Sequence, residues 1–355
     1  MKRPTLAAVA DAAGVSTATV DRVLNSRLPV REATALRVIE AAERIGYHGA
    51  RLMRARLQER GERQFRTLGF CLLRRHEAFY QSFARELSRA AREHPSGRGL
   101  AVIEFLDTLE PGAIADTMLR LGQEVDALGV VSVDHPHVHV AVDTLRAQGK
   151  PTFALLSDLS APGRAGFIGV DPRKSGRTAA WAISRLARRP GPVGIYVGSH
   201  RYLGHEACEM SFRAYLREHA PEFPVLETRV NLEDADLAHE ATLDLLRRHP
   251  DLAGLYDAGG GGMAGTIRAL RSERPPGNPQ GHVVTVSNEL SPDHRAALVD
   301  GVIDLVLGTP QSGIATTVVQ AMFDALDVPS GTEPLQPIQP RSWLLPVELW
   351  TTENL

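Results

Sequence analysis

In the first 45 residues apolar positions recur at intervals of three and four, the spacing of helices packed on one another. Leu6, Val9 and Ala10 form one stripe, and Val20, Val23 and Leu24 a second. Residues 30–45 form a third, closed by Gly46-Tyr47. Between the first two lie Gly14, suited to a turn with positive φ, then Val15 and Ser16, a good N-cap. The pattern predicts three helices, with Thr17, Ala18, Thr19, Asp21, Arg22 and Asn25 on the outer face of the second. From residue 67 the period changes to short apolar runs, most of them followed by a helical stripe. Predicted strands are Thr67–Leu73, Leu100–Phe105, Ala127–Val133, Pro151–Ser157 and Gly166–Val170. A second set is Pro192–Val197, Val225–Val230, Ala253–Asp257, His282–Ser287 and Val302–Leu307. Helical patterns include Ser82–Glu93, Gly176–Arg188, Glu209–Glu218 and Gly265–Ser272. Regular alternation predicts parallel sheets covered by helices on both faces. Ten strands in two sets of five predict two doubly wound lobes, with a ligand cleft outside the carboxyl ends of the strands.

Length and charge refine this picture. A chain of 355 residues is too long for one compact core. No apolar run approaches 18 residues, so nothing is expected to span a membrane. The N-terminus lacks an apolar signal region, and the two cysteines, Cys71 and Cys208, build no disulfide framework. Both points imply a cytoplasmic protein without a metal cluster. The triplet His135, His137 and His139 could put three imidazoles on one strand face, but Pro136 and the missing fourth ligand favour an exposed loop. Residues 1–60 carry 11 Lys/Arg against 6 Asp/Glu, a balance of +5 in a chain of net charge −2. Arg51, Arg54, Arg56 and Arg60 close this basic head, and residues 60–66 form a polar linker. A basic head on an acidic body suits phosphate binding. Small and polar side chains at the start of the second helix, followed by Arg22, suit a recognition helix in the major groove. The bland alternative is an alanine-rich helical hairpin with a solvated face.

Two features of the larger part carry chemistry. Asp134, Asp158, Arg164 and Asp171 stand at strand ends that face the expected cleft. Carboxylates and guanidinium groups form paired hydrogen bonds with vicinal hydroxyls, so the set suits a sugar, polyol or sugar acid. Each could instead be a loop cap. Gly260-Gly261-Gly262-Met263-Ala264-Gly265 is formally a G-x-G-x-x-G run after a strand, with Glu289 24 residues beyond Gly265. Taken literally, the Gly259–Gly265 turn is a dinucleotide fingerprint and implies a nucleotide-dependent α/β enzyme. The alternatives are a turn of unusual backbone angles, or bared N–H groups that line the cleft and accept a ligand. Four consecutive glycines satisfy the pattern by composition, and no nucleophile–base pair stands out. The expectation is no enzyme and no cofactor.

Thr5-Leu6, Ala10, Ala13-Gly14-Val15-Ser16, Thr19-Val20, Arg22-Val23 and Asn25, with Gly46-Tyr47, closely resemble the headpiece of LacI/GalR-type transcriptional repressors. The resemblance implies a helix-turn-helix headpiece, residues 1–48, and a hinge helix and linker, 49–65. It also implies a two-lobed effector and dimerisation domain like periplasmic sugar-binding proteins, 66–355. By the same analogy lobe one takes about 66–188 and 291–326, and lobe two about 189–290 and 338–350. No leucine-heptad tail follows, so no built-in tetramerisation helix is expected. The implied partners are operator DNA of pseudo-palindromic sequence, bound by a homodimer, and a small carbohydrate or polyol effector. Bases would be read by Thr17, Ala18 and Arg22, with phosphates met by Thr5, Ser16, Thr19, Asn25, Arg31 and Thr34. In the hinge, Leu52 or Leu57 would wedge into the minor groove beside Arg51, Arg54 and Arg56. Phe79 or Tyr80 would stack on a sugar ring.

The chain departs from the family pattern at the ligand. Cys208 stands where members usually carry Arg, Gly259-Gly260 where they carry Asn-Asp, and Asp171-Pro172-Arg173 where they often have Asp-Asn. Arg173, Glu206 and Asn288 could compensate, together with Glu289 and the backbone at Gly260. Arg164 and Arg173 tilt the expected effector toward a polyol or sugar acid. A vestigial cleft is the other implication.

Overall fold

The computed structural model describes residues 4–25, 30, 32–50, 53, 65–95, 98–274, 281–327 and 340–355. The chain divides into two units, one of Met1–Phe65 with Pro95–Arg98 and a larger one of Arg66–His94 with Gly99–Leu355.

In the N-terminal unit, α1 (Leu6–Ala13), α2 (Thr17–Asn25) and α3 (Glu32–Arg44) follow the three stripes. Thr5 caps α1, its hydroxyl accepting the Ala8 N–H at 3.3 Å. Gly14 ends the helix at φ 64°, which lets the Val15 N–H reach the Ala10 carbonyl at 3.0 Å. Val9, Val20, Val23, Val38, Ile39 and Tyr47 close the core. Arg44 donates to the Ala12 carbonyl at 3.0 Å and ties α3 to α1.

The larger unit holds two sheets. Lobe one has β1 (Phe65–Leu73), β2 (Arg98–Leu106), β3 (Ala127–Val130), β4 (Thr152–Leu155), β5 (Gly166–Val170) and β11 (Arg341–Leu345), in the order β11-β5-β4-β3-β1-β2. Lobe two has β6 (Val193–Val197), β7 (Arg229–Val230), β8 (Gly254–Asp257), β9 (Val284–Asn288), β10 (Leu305–Gly308) and β12 (Glu348–Trp350), in the order β12-β10-β9-β8-β6-β7. The registered pairs are parallel, except that β12 runs antiparallel to β10. Buried strands such as Leu68–Leu73 read as continuous apolar runs because helices cover both faces.

Lobe one is covered by α4 (Ala78–Glu93), α5 (Pro111–Gly122), α6 (Pro136–Ala147) and, late in the chain, α12 (Gln311–Leu326). Lobe two takes α7 (Pro172–Leu186), α8 (Leu203–His219), α9 (Ala235–Arg248), α10 (Met263–Glu273) and α11 (Pro292–Val299). The division differs from the sequence reading in two ways. Ala179 and Ile183 of α7 and Ala297 and Leu298 of α11 pack in lobe two, so the crossings fall at 170–172 and 308–311. The C-terminal strands do not share a lobe: β11 pairs with β5, and β12 with β10. The chain therefore passes between lobes three times.

Three local expectations are also corrected. The run Val225–Val230 keeps only a bridge from Val225 to Val193 and the two residues of β7. Helix α4 begins at Ala78, ahead of the predicted start at Ser82, so Phe79 and Tyr80 lie on it. The three histidines sit at the start of α6. His135 caps it, its Nδ1 accepting the His137 N–H at 3.2 Å, and His139 pairs with Asp134. Pro136 is the first residue of that helix, where a missing N–H costs nothing.

Candidate functional site

The exposed face of α2 is built from its cap outward. Ser16 Oγ accepts the Thr19 N–H at 3.2 Å and meets Thr19 Oγ1 at 2.9 Å. Val20 and Val23 point inward, which leaves Ser16, Thr17, Ala18, Arg22 and Asn25 exposed. Asn25 is less free than its exposure implies, because its amide donates to Asp21 at 2.7 Å. Thr34 is half-buried on α3. Arg31, Arg51, Leu52, Arg54, Arg56 and Leu57 lie outside the described residues.

The larger unit encloses a cavity of about 80 Å³ between its lobes. Lobe one contributes Phe79, Tyr80, Leu156 and Ser157; lobe two contributes His205, Cys208, Glu233, Gly259, Asn288 and Glu289, with Tyr202 at the seam. A side recess adds Arg74, Glu77 and Gly261. The lobes meet through hydrogen bonds. Arg74 donates from Nη1 to the Glu233 carbonyl and from Nη2 to the Leu232 carbonyl, each at 2.6 Å. The Gly204 N–H donates to Ser157 Oγ at 3.1 Å, and the Asp134 N–H to the Arg201 carbonyl at 2.8 Å.

Backbone strain gathers at the same place. The described non-glycine residues with positive φ are Arg74, Leu156, Leu232, Glu233 and Glu289. Each lines the cavity or its recess, except Leu232, whose carbonyl is held by Arg74. Such residues persist where surrounding structure over-determines them, and they cluster at ligand clamps.

The electrostatics are acidic. Burial pushes Glu233 up to about 7, against the pull of Arg74 and with Asp257 and Glu77 acting in the same direction. Burial also raises Glu289 well above the carboxylate range, with Glu233, Glu77 and Asp257 adding to it. His205 is driven down to about 4 by burial, with His200 adding to the shift, and is therefore neutral near pH 7. Burial lifts Cys208 to about 11, so it presents a thiol. The hydroxyl of Tyr202 and Nδ1 of His205 are buried without a hydrogen-bond partner.

Of the effector residues expected from sequence, Phe79, Tyr80, Asn288 and Glu289 line the cavity. The others do not. Asp134 accepts from Ser160 N, Ser160 Oγ and His139 at 2.6–2.8 Å. Despite burial, those bonds hold it below its usual range. Asp158 is clamped by Arg164 Nε at 2.8 Å and Nη2 at 3.0 Å, closing the 158–164 loop. Asp171 caps α7 through the Arg173 and Lys174 N–H groups. Arg173 and Glu206 are exposed. These carboxylates act as loop and helix caps, the alternative that strand-end placement left open. Glu233, Tyr202, His205 and Arg74 escaped the sequence reading. Tyr202 and Glu233 follow β6 and β7, so the ends of the predicted strands Pro192–Val197 and Val225–Val230 are the signal that points to them, although each residue stands a few positions beyond its strand.

The glycine run is structural. Asp257, buried at the end of β8, accepts the Gly259 and Gly260 N–H groups at 3.0 and 3.1 Å. Those donors are turned away from any ligand, and Glu289 lies against Gly260 where a pyrophosphate would need to approach. Gly265 has no room for a side chain because the backbone of Ala235, on α9, fills the space. The dinucleotide reading does not fit this geometry, and the first two backbone donors of the expected cradle, at Gly259 and Gly260, serve Asp257 instead.

Comparison with known proteins accounts for both units. Residues 68–331 match the periplasmic binding protein domain, and residues 5–49 match the bacterial regulatory proteins of the lacI family. The chain belongs to the periplasmic binding protein domain family, and carries a lacI-family regulatory domain at its N-terminus. Two curated relatives come from Streptomyces. One is an uncharacterized HTH-type transcriptional regulator in the aml 5′ region of Streptomyces limosus, 28% identical over 205 residues, 56% of this chain and 54% of that protein. The other is the HTH-type transcriptional regulator MalR of Streptomyces coelicolor, 28% identical over 204 residues, 56% of this chain and 55% of that protein. The chain spans about half the length of the curated relatives it matches. Among solved structures, a solute-binding protein from Burkholderia graminis in complex with D-arabinose superimposes with a TM-score of 0.70 at 18% identity, covering 81% of this chain and 96% of that one. A solute-binding protein from Bacillus halodurans with bound myo-inositol gives 0.68 at 16% identity, covering 83% and 97%. These likenesses establish the two-lobed fold of the larger unit.

Proposed function

We propose that the chain is a DNA-binding transcriptional regulator, a repressor whose grip on its operator is set by a small hydroxyl-bearing effector held between the lobes. The observation that carries this reading is the outer face of α2, where Ser16, Thr17, Ala18 and Arg22 stand exposed above a packed core. Arg22 pairs with guanine O6 and N7 in the major groove, and Thr17 and Ala18 contact neighbouring base edges. Two headpieces in a homodimer read the halves of a pseudo-palindromic operator. The inter-lobe cavity supports the second half of the reading. A ligand touching both lobes favours their closed arrangement by its differential affinity. Operator and effector then alter each other's affinity by the same factor. Related folds bind D-arabinose and myo-inositol, which points to the same general chemistry. A sugar acid loses its support, since Arg164 is engaged by Asp158 and Arg173 is exposed outside the cavity lining.

The test is fluorescence anisotropy with promoter DNA and random duplex across a salt series. Arg22→Ala is expected to lower operator preference by ~1–3 kcal/mol while leaving random-sequence binding nearly unchanged. An intact operator preference in Arg22→Ala sinks the recognition-helix assignment.

A further inference from the structure

Building on the reading of the inter-lobe cavity as the effector site, we infer that its ligand is a hydroxyl-bearing amine, an amino sugar or aminocyclitol bound as its ammonium ion. Two carboxyl groups enter the cavity beside the glycine turn. A Cβ at Gly260 would lie 2.9 Å from the Glu289 carboxyl, and one at Gly261 would lie 2.7 Å from the Glu233 Cβ. Among the described residues neither carboxylate accepts a hydrogen bond from the protein. The nearest cationic atom, Arg74 Nε, is 4.0 Å from Glu233 Oε2, and both Nη groups of that side chain already serve the Leu232 and Glu233 carbonyls. His205 Nε2 is also 4.0 Å from Glu233, and its ring is neutral.

The opposite wall is aromatic. Phe79 and Tyr80 stand edge to face, with centroids 5.2 Å apart, and Tyr202 closes the seam. The Tyr202 hydroxyl is an independent sign of a ligand. Its residue is 3% exposed, it lines the cavity, and the hydroxyl has no partner in the protein. The site thus offers two acid groups, ring faces and unused hydroxyls. An ammonium group satisfies the carboxylates and is attracted to the ring faces. Ligand hydroxyls meet Tyr202 Oη and the free O–H of Ser157. Beside a neutral sugar the two buried acids stay largely protonated, whereas an ammonium group offsets the cost of ionising them; a sugar acid would add a further negative charge to an acidic site. A metal ion is a poor alternative, since no group of three or more ligating side chains converges among the described residues.

The experiment uses the full chain at pH 7, followed by calorimetry and thermal shift, with and without operator DNA. The probes are glucosamine against glucose and gluconate, and 2-deoxystreptamine against myo-inositol. An amine is expected to bind at least tenfold more tightly than its neutral counterpart and to raise the Tm. Glu289→Gln is expected to lose at least tenfold of that affinity while retaining operator binding, which shows that it folds. Glu233→Gln provides a second variant should Glu289→Gln fail to accumulate. Binding of glucose, myo-inositol or gluconate as tight as the matching amine overturns the inference, as does the absence of binding by either amine. If a neutral probe binds and changes operator affinity, the inter-lobe effector reading stands and only the amine class falls. If an amine binds equally well to the wild type and both variants, the site itself has been misplaced.

Discussion

Glu233 holds an ionisable group where ionisation is costly, and that cost makes it measurable. Its carboxyl has an ordinary value of 4.5 and rises to about 7 in the fold, chiefly through burial. Below pH 4.5 folded and unfolded chains both hold the proton. Between these values the folded chain binds more protons, so stability falls as pH rises, and above pH 7 the full penalty applies. Arg74, Glu77, Asp257, Glu289 and His205 share the neighbourhood, so the comparison belongs between wild type and a single variant. Glu233→Gln should stabilise the ligand-free protein at pH 8 by as much as ~3 kcal/mol, and hardly at all near pH 4.5. Urea denaturation at the two pH values measures this, and equal differences at both would remove the buried-acid account. The residues that define the cavity were partly legible in the sequence. Phe79 and Tyr80 are expected at a ligand from the family resemblance, and both line the cavity. For Asp134, Asp158 and Asp171 the sequence leaves ligand and loop cap both open, because a strand-end carboxylate serves either, and the hydrogen bonds they accept make them caps. Glu233 lies three residues past the predicted strand Val225–Val230, in a turn whose positive φ no sequence pattern announces.

At the scale of elements, close helix approach explains glycines that resemble a nucleotide motif. Helices α9 and α10 pack so tightly that the Ala235 backbone fills the space beside Gly265. Likewise α7 meets α8 where Gly176 faces the Cys208 carbonyl and the Ser211 hydroxyl. Gly265→Ala should therefore destabilise the larger unit by ~1–3 kcal/mol or more, although alanine is the better helix former. A control at Gly112, in the first turn of α5, meets only the flexible Glu110 carboxylate and should cost far less. Denaturant midpoints for the two variants check the contrast. If Gly265→Ala proves neutral, the glycine run is not there for packing. The alternating strand and helix pattern was readable because buried parallel strands are continuous apolar runs bounded by polar loops. Lobe membership was not readable. Helix α7 follows a lobe-one strand and carries nothing in its own stripe to say that Ala179 and Ile183 pack against lobe two.

Over the whole of the larger unit, the lobes are held by a few polar contacts that do not depend on a ligand. Arg74 reaches across to two carbonyls of the 232–233 turn, and Ser157 and Asp134 add one bond each. Bonds to charged donors are worth roughly 1.5–3 kcal/mol apiece, enough to bias an equilibrium between closed and open forms. Arg74→Ala should open the ligand-free lobes and increase the radius of gyration in small-angle X-ray scattering, and a saturating effector should restore the compact value. Identical scattering from wild type and variant would leave Arg74 without a role in closure. The three passages of the chain between lobes also bear on how the protein is made. Lobe one receives α12 only at Leu326 and β11 only at Leu345, where Arg341 pairs opposite Gly166. Lobe two receives β12 later still, at Glu348–Trp350. On the ribosome, then, lobe one cannot complete its sheet before Leu345 is made, nor lobe two before Trp350. A nascent chain halted near residue 300 should be as open to protease as an unfolded one, while the released chain resists. Synthesis at ~5–20 residues per second would leave the early strands uncovered for many seconds, a window in which chaperones rather than the native contacts guard the chain.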